Sequence, residues 1–331
     1  MAFKGWDKKI ITNDQSEEVT AMAPVIISAS RSTDIPAFHH QWFFNRLKKG
    51  HCIWKNPFSQ KKHYVSFENA RAFVFWTKNP ELFIARLNEL DDRKFNYYFQ
   101  FTLNDYDNEG LEPSVPKLHE RIDTFKKLST IIGKDGIIWR FDPLILSNKL
   151  SVESLIDRIS GIASELADYT SKLVISFIDI AIYKKVQRNL KIACFNCHEF
   201  NDEEVFSFAE KLKEIGDAFN LDIATCSEEY DLSEFGIFYN KCIDDEALMG
   251  FLGYEPNINS HLKEFVRKKS SRSLKDKGQR KHCGCIASKD IGQYNTCGHL
   301  CSYCYANTSE RVVRKNLMQK ATDNGESILV S

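Results

Sequence analysis

Three cysteines near the end of the chain have the spacing of ligands to a small metal cluster. They occur in Cys297-Gly-His-Leu-Cys301-Ser-Tyr-Cys304. Three thiolates can hold three corners of an iron–sulfur cube, and no fourth cysteine follows at matching spacing, so one iron stays open to a ligand that is not protein. A structural zinc site instead closes all four positions. The open corner therefore favours an enzyme.

Two further cysteines lie just upstream of this triplet. Cys283 and Cys285 can be ligands of a second cluster, redox thiols, or members of one closed site with the triplet. With His282 and His299, the five cysteines supply enough ligands for one zinc ion. Structural zinc normally uses two separate Cys-x2–4-Cys pairs, so the triplet spacing favours an iron–sulfur cluster over zinc.

The other five of the ten cysteines are interpreted as thiols, with metal binding by Cys194 and Cys197 as the alternative. Cys52, Cys226 and Cys242 stand alone in the sequence, so we expect ordinary buried thiols. Cys194-x2-Cys197-His198 has the spacing of a haem attachment motif, but no apolar signal segment begins the chain, which favours loop thiols. The same reasoning predicts a cytoplasmic protein with reduced cysteines.

Composition and charge are those of a soluble globular protein, with 43% hydrophobic and 27% charged residues. Lys plus Arg and Asp plus Glu both number 45, so global charge indicates neither nucleic acid nor an anionic membrane as a partner. No run of 18 apolar residues occurs, so no membrane span is predicted. The basic stretch Arg267–Lys281 is interpreted as a solvated linker, with nucleic-acid contact as the alternative.

Short apolar segments alternate with amphipathic segments through most of the chain. The predicted strands are Val25–Ala29, Ala72–Trp76, Tyr97–Leu103, Gly136–Phe141, Leu173–Ile178 and Leu221–Thr225. They lack polar and apolar alternation, as expected of strands buried on both faces in a parallel sheet. Helical periodicity predicts helices at Lys117–Ile132, Val152–Leu166 and Glu203–Phe219.

Six β–α units predict an α/β fold with a parallel sheet closed, or partly closed, into a barrel. A doubly wound open sheet is the alternative, although no Gly-x-Gly-x-x-Gly follows any strand. His51–Phe67 interrupts the first unit and is predicted to form a hairpin or lid. We expect residues 1–256 to form the barrel, and residues 257–331 to be a basic linker and a cysteine-rich segment that completes the same site.

Polar residues gather where the predicted strands end, which is where parallel barrels and sheets bind ligands. The candidate binding residues are Arg31, Asp34, Thr77, Lys78, Asn79, Arg140 and Asp142. Asp34 and Asn79 also have the positions of helix caps. Arg140 and Asp142 lie in an apolar run on one face of a strand, so they either form an ion pair or hold a charged ligand.

The pattern Cys297-x3-Cys301-x2-Cys304, with Tyr303 before the third cysteine, resembles the signature of the radical S-adenosylmethionine (SAM) superfamily. The resemblance implies a 4Fe–4S cluster on the three cysteines, with SAM on the fourth iron and Tyr303 near its adenine. It further implies cleavage of SAM to a 5′-deoxyadenosyl radical, hydrogen abstraction from a substrate, and a low-potential donor such as ferredoxin or flavodoxin. The superfamily fold is a full or partial β/α barrel.

Longer segments resemble a bacterial family whose C-terminal cysteines mimic that signature. They are Ser28–Asp34, Phe75–Pro80, Phe99–Thr102, Trp139–Pro143 and His282–Cys297. Thr77-Lys78 and Arg140-x-Asp142-Pro143 are also similar to the spore photoproduct lyase branch of the superfamily, which makes a nucleotide or nucleic-acid substrate an alternative.

Two features depart from the superfamily pattern. The cysteine motif comes last rather than after the first strand, which a circular permutation of the barrel would explain. The Gly-Gly-Glu motif that contacts the SAM amino group is missing, because the sequence contains no Gly-Gly. By position, Thr77–Asn79 is the predicted substitute. A non-catalytic protein that binds iron–sulfur or zinc is the remaining alternative.

Overall fold

The computed structural model describes residues 5–250, 274–276, 278–319 and 324–329. The strands are β1 (Asp7–Thr12), β2 (Glu18–Ala23), β3 (Ile26–Ser28), β4 (His51–Lys55), β5 (Lys62–Ser66), β6 (Ala72–Thr77), β7 (Asn96–Thr102), β8 (Ile137–Leu144), β9 (Leu146–Ser147), β10 (Lys172–Phe177), β11 (Cys197–His198), β12 (Asp222–Thr225), β13 (Phe238–Tyr239) and β14 (Lys289–Asp290). The α-helices are α1 (Ile35–Phe38), α2 (His40–Lys49), α3 (Glu81–Ile84), α4 (Asn88–Asp91), α5 (Leu118–Ile132), α6 (Val152–Leu166), α7 (Lys184–Ile192), α8 (Asp202–Phe219), α9 (Asp245–Gly250) and α10 (Glu310–Met318).

Eight parallel strands form the main sheet, in the order β13-β12-β10-β8-β7-β6-β3-β14. The predicted α/β fold with a parallel sheet is confirmed. From β3 to β13 the order follows the chain without the reversal that defines a doubly wound sheet. Within the described ranges the edge strands β13 and β14 do not pair, so closure into a barrel stays a prediction.

All six predicted strands are present, and each observed boundary lies within a few residues of the prediction. The largest difference is at β8, which continues past Phe141 to Leu144. The three predicted helices correspond to α5, α6 and α8. The helix α8 begins with the capping box that Asn201 forms with Glu204, which fixes its first turn.

The two faces of the main sheet are covered differently. On the outer face, side chains such as Phe73, Phe99 and Leu173 pack against the helices. On the inner face, alternate residues such as Val74 and Val174 pack in one cluster with Cys242, Ile243, Leu248, Leu274, Cys283, Cys285 and Ile286. Both faces are thus buried, which explains the absence of alternation in the strand sequences.

A second sheet, ordered β1-β2-β5-β4, lies outside the main sheet. β4 and β5 pair antiparallel, which confirms the predicted hairpin in His51–Phe67. The predicted boundary at residue 256 and most of the basic stretch Arg267–Lys281 lie outside the described residues. In the part of the chain that the structure describes, no helix has the length and apolarity needed to cross a bilayer.

Candidate metal centre at the strand ends

The cysteine triplet follows a strand of the main sheet, even though it comes near the end of the chain. β14 pairs in parallel with β3, with Lys289 opposite Ile27. The chain therefore leaves β14 at the carboxyl edge of the sheet and continues there into the triplet. Gly292 makes this path possible, because a Cβ at that position would lie 1.8 Å from Ser30 Oγ.

Asp34 connects the loop after β3 to the loop after β6 and to the cysteine segment. Its Oδ1 caps α1 by accepting a hydrogen bond from the amide of Ala37 at 2.9 Å. Its Oδ2 accepts from the Thr77 hydroxyl at 3.1 Å and from the Lys78 amide at 2.7 Å. His299 Nε2, from within the triplet segment, lies 2.8 Å from the same oxygen. Asp34 is therefore a buried residue that positions the loop after β3, the loop after β6 and the cysteine segment relative to one another.

Lys78, Glu112, Tyr303 and Asn104 form a buried network beside Cys301. Lys78 Nζ lies 2.7 Å from Glu112 Oε1 and 3.1 Å from the Tyr303 hydroxyl. Asn104 Nδ2 donates to the same two oxygens at 3.1 and 3.0 Å. Burial alone would raise the pKa of Glu112, but the cations Lys78 and Arg121 together lower it. Glu112 is therefore an anion held between two buried cations.

Sequence reasoning missed Glu112 as a site residue and did not select Asn104. Glu112 lies in the segment between β7 and α5, where no periodicity or motif marks a single acidic residue. Asn104 lies two residues after β7, and this position near a strand end was the signal that could have found it. Its Oδ1 also accepts from the amide of Asp142 at 2.9 Å, which ties the end of β7 to β8.

Among the described residues, the three triplet sulfurs are not gathered as closely as the ligands of a single tetrahedral ion. A tetrahedral zinc ion with 2.3 Å bonds sets its sulfurs about 3.8 Å apart. Among the described residues, no three ligand atoms of this segment lie mutually within 4.8 Å. Burial raises the pKa of Cys301 to about 12, opposed by Lys78, and it also raises the pKa of Cys297 and Cys304. A bound metal must therefore displace thiol protons.

Arg140 and Asp142 form an ion pair with each other, one of the two predicted arrangements. Arg140 Nε lies 3.1 Å from Asp142 Oδ2, and Asp142 also accepts from the Ser176 hydroxyl. A second guanidinium nitrogen of Arg140 lies 3.1 Å from Gln100 Oε1 and 3.1 Å from Cys242 Sγ. This arginine thus points toward cysteines on the inner face of the sheet.

Arg31 and Asn79 also have defined partners. Arg31 pairs with Asp276 at 3.3 Å, and its guanidinium lies 5.6 Å from the centre of the Trp76 ring. Burial would lower the pKa of Arg31, but Cys285 and the neighbouring aspartates raise it. Asn79 Oδ1 accepts from the amide of Glu81 at 3.3 Å, but the N-cap of α3 is Pro80, so the prediction of Asn79 as the cap is wrong by one residue.

The cysteines outside the triplet are not arranged as the sequence suggests. Cys226 and Cys242 are not isolated thiols, because their sulfurs lie 3.3 Å apart. Cys285 lies next to both Cys242 and Cys283. The expectation of single buried thiols is correct for Cys52, which is fully buried, and wrong for the other two. Spacing along the chain could not show this, because the two cysteines follow different strands, β12 and β13.

The predicted loop thiols differ in their surroundings. Cys194 is exposed, whereas Cys197 is half-buried and lies in the two-residue strand β11.

One group of metal-type ligands lies away from the strand ends. Ligand atoms of Asp14, His51 and Glu326 lie within 4.8 Å of one another. Arg46 lies 2.9 Å from Asp14, and Lys49 lies 3.9 Å from it. These cations already compensate the carboxylates, so we interpret the group as an ion network that ties segment 324–329 to β4.

The fold and the site together define an α/β protein with a three-cysteine segment at the carboxyl edge of a parallel sheet. The chain belongs to the family described as "Domain of unknown function (DUF1848)", which matches residues 26–306. That range begins at β3 and ends just after Cys304, so it includes the whole main sheet and the triplet.

No curated protein matches the sequence. Among solved structures, one described as a "putative alpha-L-fucosidase" from Bacteroides thetaiotaomicron VPI-5482 is similar at 12% identity. The similarity covers 67% of this chain and 74% of that chain, with a TM-score of 0.26, which is too low to support any inference.

Proposed function

We propose that this protein is an iron–sulfur enzyme of the radical SAM type. Cys297, Cys301 and Cys304 would bind three irons of a 4Fe–4S cluster. Such a cluster, once reduced by an external donor, would supply the electron for cleavage of SAM to methionine and a 5′-deoxyadenosyl radical, which would take hydrogen from a substrate. The observation that carries the proposal is the emergence of this segment at the carboxyl edge of the sheet, where such folds bind ligands.

The thiols of the triplet fit a cluster in spacing and in environment. In the described part of the chain the three sulfurs are not all within 4.8 Å of one another, whereas one tetrahedral ion would set them about 3.8 Å apart. The nearby Lys78 ammonium favours the thiolate form of Cys301. The amide of Ala306 lies 3.3 Å from Cys304 Sγ, a contact of the type that orients cluster ligands.

Lys78 and Glu112 are the residues best suited to hold the methionine part of SAM in place of the missing Gly-Gly-Glu. Lys78 offers an ammonium for a carboxylate. Glu112 Oε2 accepts no hydrogen bond from a described residue and lies 3.6 Å from Arg121, so it offers a carboxylate oxygen for an ammonium. Thr77 and Asn79 are already bonded to Asp34 and Glu81 and serve to position the loop. The placement of Tyr303 against the adenine stays a prediction.

The first experiment tests cluster binding. The purified chain is reconstituted anaerobically with iron and sulfide, and iron–sulfur absorbance and iron content are measured. Cys301→Ala should lose the triplet cluster. Cys52→Ala is the matched control, since Cys52 is equally buried but lies away from both cysteine groups, and it should retain the iron. Full iron content in the Cys301→Ala protein would refute cluster binding by the triplet.

A second experiment separates an enzyme from a non-catalytic binding protein. The reconstituted protein is reduced with dithionite, which replaces a ferredoxin or flavodoxin donor, and incubated with SAM. Formation of 5′-deoxyadenosine, together with a SAM-induced change in the electron paramagnetic resonance spectrum, supports the enzyme. An intact cluster with an unchanged spectrum and no 5′-deoxyadenosine would favour the non-catalytic protein.

A further inference from the structure

Four cysteines outside the triplet meet on the inner face of the main sheet. Cys226 follows β12, Cys242 follows β13, and Cys283 and Cys285 lie in the segment that precedes β14. Cys226 Sγ and Cys242 Sγ are 3.3 Å apart, and Cys285 lies next to both Cys242 and Cys283. Cys242, Cys283 and Cys285 are buried in the inner-face core, and Cys226 packs against it.

Nitrogen donors surround the sulfurs of this group. A guanidinium nitrogen of Arg140 lies 3.1 Å from Cys242 Sγ, and Asn240 Nδ2 lies 3.4 Å from the same sulfur. The amide of Ile243 lies 3.4 Å from Cys285 Sγ. Such N–H groups stabilise anionic sulfur and orient metal-bound thiolates. The surroundings therefore suit thiolate ligands better than neutral thiols, which are weak acceptors.

Two buried cations add to this environment. Arg140 contacts Cys242 directly, and Arg31 is close enough to Cys285 and Cys242 to interact with them electrostatically. Each guanidinium also faces acidic groups, Asp142 for Arg140 and Asp276 with Asp290 for Arg31. A centre with four thiolates is itself anionic, and buried anionic charge requires such nearby cations.

We propose that Cys226, Cys242, Cys283 and Cys285 form a second metal centre, a four-thiolate [2Fe–2S] cluster separate from the triplet. The chain supplies the four sulfurs as two pairs, Cys226 with Cys242 from the ends of β12 and β13, and Cys283 with Cys285 from the segment before β14, and Cys285 also lies next to Cys242. Two pairs match the two irons of such a cluster, each of which takes two thiolates. One tetrahedral ion would need all four sulfurs about 3.8 Å apart, whereas no three of them lie mutually within 4.8 Å in the described part of the chain.

The chemistry of this centre differs from that of the triplet. Four protein ligands leave no open iron, so the centre would transfer electrons or stabilise the fold rather than bind a substrate. Loading releases the four thiol protons as two ferric ions and two sulfides are taken up. The centre also fixes segments 240–243 and 283–285 against the inner face. The inference does not depend on radical SAM chemistry at the triplet.

The test uses the full chain with Cys297, Cys301 and Cys304 all changed to Ala, so that the triplet cannot bind iron. Cys194→Ser and Cys197→Ser are added to remove the exposed thiol of Cys194 and the half-buried thiol of Cys197. After anaerobic reconstitution, about two irons and two sulfides per chain are expected, with the Mössbauer spectrum of a [2Fe–2S] cluster. In this background Cys242→Ser or Cys285→Ser should lose the iron, and Cys52→Ser should keep it.

A second measurement covers the case in which a cysteine variant fails to fold. In the background chain itself, the four thiols should resist alkylation until a chelator removes the iron, as read by mass spectrometry of each peptide. Absence of iron, or thiols that react equally with and without iron, would overturn the proposal. A Cys226–Cys242 disulfide in anaerobically purified protein would overturn it as well, and one zinc ion per chain would overturn the two-iron assignment.

Discussion

His299 Nε2 lies 2.8 Å from Asp34 Oδ2, although the two residues are 265 positions apart in the sequence. Asp34 belongs to the loop after β3, and His299 lies inside the cysteine triplet. β14, the strand that leads to the triplet, also pairs with β3. The cysteine segment thus lies beside β3, the first strand of the main sheet in chain order.

Removal of the Asp34 carboxylate should loosen the cysteine segment. Asp34→Ala removes the cap of α1 and leaves buried groups of Thr77 and His299 without their acceptor. We expect a loss of about 2–4 kcal/mol in the free energy of unfolding, because a lost cap costs about 1 kcal/mol and each buried unsatisfied group about 1–3 kcal/mol. Urea unfolding and the iron content after reconstitution measure the effect.

Asp34→Asn is the matched control for this prediction. Its side-chain oxygen can still cap α1, so a smaller loss of stability is expected. Equal stability and equal iron content for Asp34→Ala and the unchanged chain would show that the Asp34–His299 contact does not hold the segment.

The positions of the strands could be predicted from the sequence, but the contacts of most site residues could not. Ala72–Thr77 reads as a strand because both of its faces are buried, which leaves a continuous apolar run. The contact between Cys226 and Cys242 depends instead on how β12 and β13 pair, and on which face of the main sheet the chain reaches after each of these strands. Glu112 was not predicted for a similar reason, because its partners Lys78 and Tyr303 come from distant segments.

Gly298 should be intolerant of any side chain. A Cβ at this position would lie 2.6 Å from the ring of Phe38, which itself packs edge-on against the His299 ring at 4.7 Å. We expect Gly298→Ala to cost about 1–3 kcal/mol, as overpacking in a buried contact does. Thermal unfolding and iron retention in the reconstituted protein are the measurements.

Two further variants test whether the clash is the cause. Gly161→Ala lies in α6 with no atom within 4 Å of the added Cβ, so it should stabilise the protein by up to about 1 kcal/mol. Phe38→Leu combined with Gly298→Ala should recover part of the lost stability. The absence of any recovery would show that Gly298 is needed for a reason other than the Phe38 ring.

Loss of the Glu112 charge should be costly because two buried cations face it. Glu112→Leu leaves Lys78 and Arg121 without this carboxylate, and we expect a loss of about 3–5 kcal/mol, as for a broken buried ion pair. Lys78→Met in the same chain should recover part of that loss, and a double-mutant cycle gives the coupling energy between the two residues. Strictly additive effects would show that the Lys78–Glu112 pair contributes nothing to stability.

Glu228 should make the protein less stable as the pH rises from about 5 to 8. Burial, with a contribution from Asp179, raises the pKa of Glu228 from its ordinary 4.5 to about 8, and its Oε1 accepts from the Phe177 amide at 3.1 Å. The folded state therefore binds more protons than the unfolded state between these two pKa values. In that range the free energy of unfolding falls as the pH rises, and the effect is complete above the folded pKa.

The variant Glu228→Gln removes this titration and keeps the oxygen that accepts from Phe177. At pH 5 the variant and the unchanged chain should be of similar stability. At pH 8 the variant should be more stable by about 2–4 kcal/mol, which corresponds to a pKa difference of a few units. Urea unfolding midpoints of both proteins at several pH values measure the difference. A stability difference between the two proteins that does not change with pH would mean that Glu228 titrates at an ordinary pKa in the folded protein. Burial would then not determine whether the Glu228 side chain is charged.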